Sequence, residues 1–416
     1  MQILFNTFEA EMSHIPTIYV ALPVMDEADT LPSCLSCIEN QTYQPFKVIL
    51  CVNQPDEWWE IPGKKAICEN NNQILELLSK KDKNVYTIIN KSSKGFGWKG
   101  NKKGVGMARK TIMDYIAGIA DNKDIILSLD ADTSFNSEYF SSVIDALSTN
   151  KDAVALANPY YHKLTGSEPE DRSVLRYEIY MRNYAINLLI IGSPYSFTAL
   201  GSAIALPVSS YKAIGGLSPK LSGEDFYFLQ KLRKYGKIII HNSEKVFPAA
   251  RFSDRVFFGT GPAMIKGNKG DWDSYPIYHH SLFGKIKKTY LLFNTLFYHD
   301  CQTPMTEFLQ EQFAAQDIWS PLMANFINTE SFVRACHEKI NGLRILQYCK
   351  SEQPLLHKTD EECLLENIND VFRSFVSYDI SSIPEDFNEC SINLLNEIRN
   401  CLVKIEETLQ KKVKII

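Results

Sequence analysis

No run of lysines and arginines in this chain is long enough to grip a nucleic-acid backbone, and 44 basic residues against 49 acidic ones leave a formal net charge of −5. That balance gives no support for non-specific binding to DNA or RNA. A membrane-length apolar run is missing too. The longest candidate, Tyr184 to Pro207, is interrupted by Asn187, Gly192, Ser193, Pro194 and Gly201 and reads as a buried helix, a turn and a strand. The 10 cysteines are scattered, and only Cys34 and Cys37 form a C-x-x-C pair, within a predicted helix. With no second pair at zinc-site spacing, reduced thiols in a cytosolic protein are expected. The opening MQILFNTFEAEMSH has acids and no basic flank before an apolar core, so no secretory leader is expected.

What is present describes a globular protein of 416 residues, 45% hydrophobic and 22% charged, longer than one core usually supports. Pro16 to Met25 is an apolar, β-branched run suited to a strand buried on both faces, and it ends in the acidic turn carrying Asp26 and Glu27. Thr30 to Gln41 reads as a helix, Phe46 to Asn53 as a strand, Ala66 to Lys80 as a helix and Val85 to Ile89 as a strand. Such alternation predicts βαβ units in a mostly parallel sheet, whose ligands sit at the carboxyl ends of strands. Asp26 with Glu27, Asn53 with Asp56, and Asp130 with Asp132 fall there.

The segment IILSLDADT, Ile125 to Thr133, runs an apolar strand into two carboxylates spaced one residue apart. Extended backbone sends Asp130 and Asp132 to one side, where they repel unless a cation, a proton or hydrogen bonds offset them. Magnesium or manganese, completed by phosphate oxygens and water, is the commonest solution and implies a diphosphate site. Lys94 to Gly106 is rich in glycine and lysine and opens a helix near Met107. Its amides can approach phosphate, with Lys99, Lys102, Lys103 or Arg109 offsetting charge; a solvated loop is the plain alternative. Further on come a helix over Ser137 to Ser148, a strand over Ala153 to Asn158, a long loop and a helix over Arg172 to Ile191. In GGLSPKLSGEDFYFLQKLRKYG, Gly223 leads into Glu224 and Asp225 at the start of an amphipathic helix closed by Gly236. Arg251 and Arg255 then flank Ser253, as candidates for a diphosphate or charged acceptor, or as surface ion pairs.

ALPVMDEADTL, CVNQPD, GVGMAR, LSLDADT and the glycine-to-glycine segment ending at Gly236, in that order over about residues 16–240, resemble glycosyltransferase family 2 with its GT-A fold. The resemblance implies an α/β, mixed but mostly parallel sheet flanked by helices. It implies inverting transfer of a sugar from a nucleotide diphosphate sugar to an acceptor hydroxyl. Carried onto this chain, Pro23, Asp26 and Glu27 flank base and ribose. Asn53 stands where many members have an aspartate that contacts the base, Asp130 holds ribose or metal, Asp132 holds metal and diphosphate, and Asp225 is the general base beside Glu224. A metal-ligating histidine often follows the base, and His241, His279 and His280 are the candidates, with His280 assigned here. A nucleotidyltransferase acting on a sugar phosphate and a non-catalytic sugar-nucleotide-binding scaffold are the alternatives. The turn PVMDEAD after the first strand has no glycine, against the first; intact Asp130, Asp132 and Asp225 weigh against the second.

The expected division is a glycosyltransferase domain over about 1–284, its nucleotide half about 15–135 and its acceptor half about 136–284, followed by an α-helical region over about 285–416. Predicted helices there cover Thr306 to Ala314, Glu330 to Tyr348, Glu361 to Tyr378 and Ile392 to Lys412, with no repeat or catalytic cluster. That region can cap the acceptor groove or form an oligomer contact. The tail QKKVKII allows peripheral contact with the inner face of a membrane, although three lysines are too few for anchoring. The expected acceptor is a polysaccharide or other glycan, a lipid-linked glycan or a small molecule, and the expected location is cytoplasmic.

Overall fold

The structure is a computed structural model and describes residues 14–100, 103–221, 223–254, 259–375 and 386–413. The first half alternates strands and helices: β1 (Ile18–Val24), α1 (Leu31–Glu39), β2 (Phe46–Asn53), α2 (Lys65–Ser79), β3 (Tyr86–Lys91), α3 (Val105–Ile119), β4 (Ile125–Ser128), α4 (Tyr139–Thr149) and β5 (Ala153–Ala157). Next come α5 (Glu168–Ile190), β6 (Ile204–Pro207), α6 (Val208–Ala213), α7 (Glu224–Tyr235), β7 (Lys237–Ile239) and α8 (Thr260–Gly267). The remainder is helical: α9 (His280–Leu291), α10 (Phe293–Leu296), α11 (Thr306–Phe313), α12 (Ser320–Met323), α13 (Thr329–Lys339), α14 (Gly342–Glu352), α15 (Asp360–Glu366) and α16 (Ile392–Val413).

The strands form one sheet in the order β3-β2-β1-β4-β6-β5-β7. β1 pairs in parallel with β2 and β4, β2 with β3, and β5 with β7, while β6 runs antiparallel to both its neighbours. This is the mixed, mostly parallel α/β sheet expected from the sequence, followed by the expected helical region. Every residue of β1 is buried, as a strand covered on both faces requires. The period-2 alternation divides it: Ile18, Val20, Leu22 and Val24 join the layer under α1 and α4, whereas Tyr19 and Ala21 face α3. The second layer continues without a break into the C-terminal helices, reaching Phe332, Tyr348 and Leu402.

α16 shows why that region adheres. Leu395, Ile398, Leu402, Ile405 and Leu409 are all buried and recur every three or four residues, one apolar stripe along a helix. Polar anchors on α5 reinforce the contact. Glu178, fully buried, accepts from Arg182, from Arg399 at 2.8 Å and from the His162 ring at 3.3 Å, and Arg182 reaches on to Glu406 at 2.5 Å. Among the described residues no helix is long and apolar enough to cross a membrane.

Candidate active site

β1, β2 and β4 run parallel, so their carboxyl ends open on one edge. Beyond β4 the chain keeps contact with β1 through Leu129, whose N–H donates to the Ala21 carbonyl at 3.1 Å, and then turns, the Thr133 N–H donating to the Asp130 carbonyl at 3.1 Å. Asp130 and Asp132 sit in that turn. The turn is held from outside by paired main-chain bonds between Ser134 and Phe247, at 2.8 and 3.0 Å, which bring the segment carrying Arg251 alongside. Arg251 donates from one guanidinium nitrogen to both Glu27 carboxylate oxygens and to Asp132 Oδ2, each at 2.7 Å. Burial works to lower the Arg251 proton affinity, but Asp132 and Glu27 win and hold it above its ordinary value.

Asp26 adopts a left-handed backbone at φ 59°, unusual for a residue other than glycine, and its N–H donates to Asn71 Oδ1 at 2.9 Å. Local strain of this kind recurs at ligand sites. Glu27 is buried, accepts the Thr30 hydroxyl and, through its carbonyl, starts α1. Pro23 lies buried within β1.

Arg109 is the hub. It projects from the second turn of α3 and is only 2% exposed. Its Nε donates to Glu224 at 3.3 Å and one terminal nitrogen to Asp130 Oδ1 at 2.8 Å; the other terminal nitrogen bonds the Ser128 hydroxyl and the Gly201 carbonyl at 3.0 Å. A Cβ on Gly201 would come within 2.4 Å of the guanidinium, so a side chain at this position would push Arg109 out of its place. Arg109 thereby ties the Asp130–Asp132 turn to the start of α7. There Gly223 takes φ 70°, and Glu224 points inward to Arg109. Asp225 lies at the same helix start, partly buried, with its own Oδ1 accepting the Phe226 N–H at 2.8 Å. Burial, then the negative charges of Glu224 and Asp130, push the Asp225 carboxyl up to about 7, with Arg109 opposing.

Several residues named from the sequence occupy other places. Arg109 is sealed among carboxylates and backbone, which leaves it no face for a diphosphate. Asn53 is 3% exposed; its amide nitrogen donates to the Val24 carbonyl at 3.0 Å and its oxygen accepts the Trp98 indole N–H at 3.1 Å, which spends it on holding the loop after β3. The glycine-rich segment is also structural in part. The Gly95 and Gly97 amides donate to Asp56 Oδ1 at 2.7 and 3.3 Å, and a Cβ on Gly106 would meet the Lys220 carbonyl oxygen at 2.3 Å, which places the start of α3 against the approach to α7. Lys99 is exposed and Lys103 pairs with Glu57 at 3.2 Å on the surface. Lys102 and Arg255 lie outside the described residues. His241 follows β7, while His279 and His280 begin α9. Among the described residues, His280 groups with His279 and Glu366, not with Asp130 or Asp132. Ser128, Gly201, Asn71 and Trp98 were not singled out in sequence, because each acts through a partner 19 to 92 residues away.

The donor set fits a magnesium or manganese ion. Two carboxylates one residue apart, with the Asp130 side chain 37% exposed and the Asp132 side chain 19%, offer oxygen alone and leave further positions to phosphate and water.

No protein-family profile and no curated protein matches the sequence. Solved structures similar to it include TarS residues 1–349 from S. aureus in complex with UDP-GlcNAc (12% identity, 96% of this chain and 92% of that one, TM-score 0.40). Also similar are the mannosyltransferase PcManGT from Pyrobaculum calidifontis with GDP-Man and Mn2+ (13%, 86% and 89%, TM-score 0.37) and GalNAc-T7 with UDP, GalNAc and Mn2+ (11%, 76% and 57%, TM-score 0.36).

Proposed function

We propose that this chain is an inverting glycosyltransferase of the GT-A type that moves a sugar from a nucleotide diphosphate sugar to an acceptor hydroxyl. One observation carries the reading: Arg109 joins the Asp130 side of the cleft to the helix start bearing Asp225, so metal-type carboxylates and a carboxylate with raised proton affinity share one edge of the sheet. A nucleotidyltransferase is less well supported, because two amides of the glycine-rich segment are occupied by Asp56.

In this reading Asp26 and Glu27 flank the nucleoside, and Asp132 with Asp130 would hold a divalent ion, whose Lewis acidity would offset the charge on the departing diphosphate. Arg251 supplies positive charge beside Asp132 and is placed to meet the same phosphates. Asp225 Oδ accepts the acceptor hydroxyl's proton as the acceptor oxygen attacks the anomeric carbon and the bond to the diphosphate breaks. A carboxylate near 7 is matched to that task, and a positioned base contributes about 10²–10⁴-fold. Glu224 is a positioning residue, acting through Arg109 and through its charge on Asp225.

Thermal unfolding with UDP, GDP, dTDP, CDP and ATP, each with and without manganese, tests the donor site. A diphosphate at about 100 times its dissociation constant adds roughly 2.7 kcal/mol of stability, and Asp132→Ala removes the manganese-dependent share. Stabilisation by a triphosphate alone would turn the reading toward nucleotidyl transfer, and no shift with any nucleotide toward a scaffold.

A further inference from the structure

The adjacent histidines of SYPIYHHSLF take no part in the donor site. His279 Nε2 lies 2.7 Å from Glu366 Oε2, at the end of α15. His280 Nε2 lies 3.3 Å from Asp370 Oδ2, yet this nitrogen is shut off from solvent and makes no hydrogen bond. The two rings are 4.2 Å apart between centroids, and one ligand atom from each of His279, His280 and Glu366 falls within 4.8 Å of the others. A buried imidazole nitrogen without a hydrogen-bond partner is costly in a folded protein unless something else satisfies it.

The surrounding groups suit metal ligation. Tetrahedral sites built from imidazole and carboxylate favour zinc-class ions, at about 2.0–2.2 Å from each donor. Ligating histidines donate their second ring N–H to an outer group. His279 Nδ1 now accepts the Ser281 N–H at 3.2 Å and lies 2.8 Å from the Ser281 hydroxyl, which receives the N–H once that nitrogen carries the proton, and Lys358 contacts the Glu366 oxygen that faces away from the ring.

We infer that His279, His280 and Glu366, with Asp370 in reach as a fourth donor, form a structural site for a zinc-class divalent ion that clamps α15 and the turn after it onto the start of α9. On ligation any proton on Nε2 leaves to solvent and Nε2 of each histidine donates its lone pair to the ion, while the His279 ring changes from the tautomer whose Nδ1 accepts the Ser281 N–H to the one whose Nδ1–H is donated to the Ser281 hydroxyl. The site is independent of the donor site and of the reaction assigned to it.

The test uses the full chain, purified without a polyhistidine tag, dialysed against zinc or cobalt and then against buffer. One equivalent of metal is retained, cobalt gives the visible absorption of a tetrahedral ion, and zinc raises the unfolding temperature. Glu366→Gln and His280→Asn each lower affinity at least 10-fold while keeping the native circular dichroism spectrum, and Asp132→Ala retains the ion. His279 is left in place because its ring caps α9. Equal retention by native chain and both variants, no retention by the native chain, or loss of the ion in Asp132→Ala would each overturn the assignment.

Discussion

Asp225 joins an unusual proton affinity to an exposed enough position to use it. Its folded value is about 7 against an ordinary 3.8, so the folded protein holds this proton more tightly than the unfolded chain. Stability therefore declines as pH rises from about 3.8 to about 7 and levels off above. Asp225→Asn, which cannot ionise, is expected to unfold at a higher temperature than the native chain above pH 7, by on the order of 1 kcal/mol or more, with the difference closing toward pH 4. Turnover shows the opposite sign: native activity climbs through about pH 7, and Asp225→Asn binds donor but loses transfer by 10²-fold or more. An active Asp225→Asn enzyme would refute the base assignment. Arg109 gives a second residue-scale prediction. Arg109→Met leaves Glu224 and Asp130 without their shared cation, and breaking a buried pair in this way costs about 3–5 kcal/mol in urea unfolding. Adding Glu224→Gln recovers part of that loss, because the more deeply buried of the two stranded carboxylates is then neutral and only Asp130, 37% exposed, keeps its charge.

At the scale of elements, the two glycines of α3 separate close approach from mere composition. A Cβ at Gly106 meets the Lys220 carbonyl oxygen at 2.3 Å, whereas nothing lies within 4 Å of one at Gly118. Gly106→Ala is expected to destabilise by about 1–3 kcal/mol and to weaken donor binding by shifting the approach to α7. Gly118→Ala is expected to stabilise by up to about 1 kcal/mol, through helix propensity alone. Equal effects of the two would show that the α3–Lys220 contact is unimportant. Element boundaries were readable where a local signal marks them: β2 runs over Phe46–Asn53 as the apolar pattern predicts, and α16 over Ile392–Val413, one residue beyond the predicted end. The single helix expected over Glu330 to Tyr348 is instead two. Asn341 interrupts it and caps the second by accepting the Arg344 N–H at 3.1 Å, a start signal present in the sequence but weaker there than the continuing apolar period. The expected helix over Glu361 to Tyr378 ends at Glu366, gives way to a wider turn over Asn367–Val371, and runs from 376 outside the described residues.

For the molecule as a whole, the contact between α5 and α16 makes the C-terminal helix part of the same fold as the sheet. Burial alone would raise the Glu178 carboxyl, yet Arg182, His162 and Arg399 hold it well below its ordinary 4.5. A depressed carboxylate contributes stability that is fully present above about 4.5 and is lost as pH falls through the folded value. Glu178→Ala is expected to cost about 3–5 kcal/mol at neutral pH, because two buried guanidinium groups lose their shared partner, and to flatten acid unfolding below pH 4.5. Urea unfolding followed by far-ultraviolet circular dichroism checks both, and a loss below about 1 kcal/mol would show the network to be dispensable.

Composition and periodicity, which depend on neighbours a few residues apart, determined the alternating α/β half, the helical remainder, and the placement of Asp26, Asp130 and Asp132 after strands. They also marked Asp225 at the start of a helix, because a glycine before two acids and an amphipathic run is a local pattern. What those side chains do to each other was decided only by tertiary structure. Arg109 became a buried hub because α3 packs so that Ser128, Asp130, Gly201 and Glu224 converge on it. Asn53 was turned inward by Val24 and Trp98, and His280 was carried to Glu366 and Asp370. Charge, burial and proton affinity depend on what lies within a few ångströms in space, and residues 90 apart in sequence enter that range only after the chain has packed.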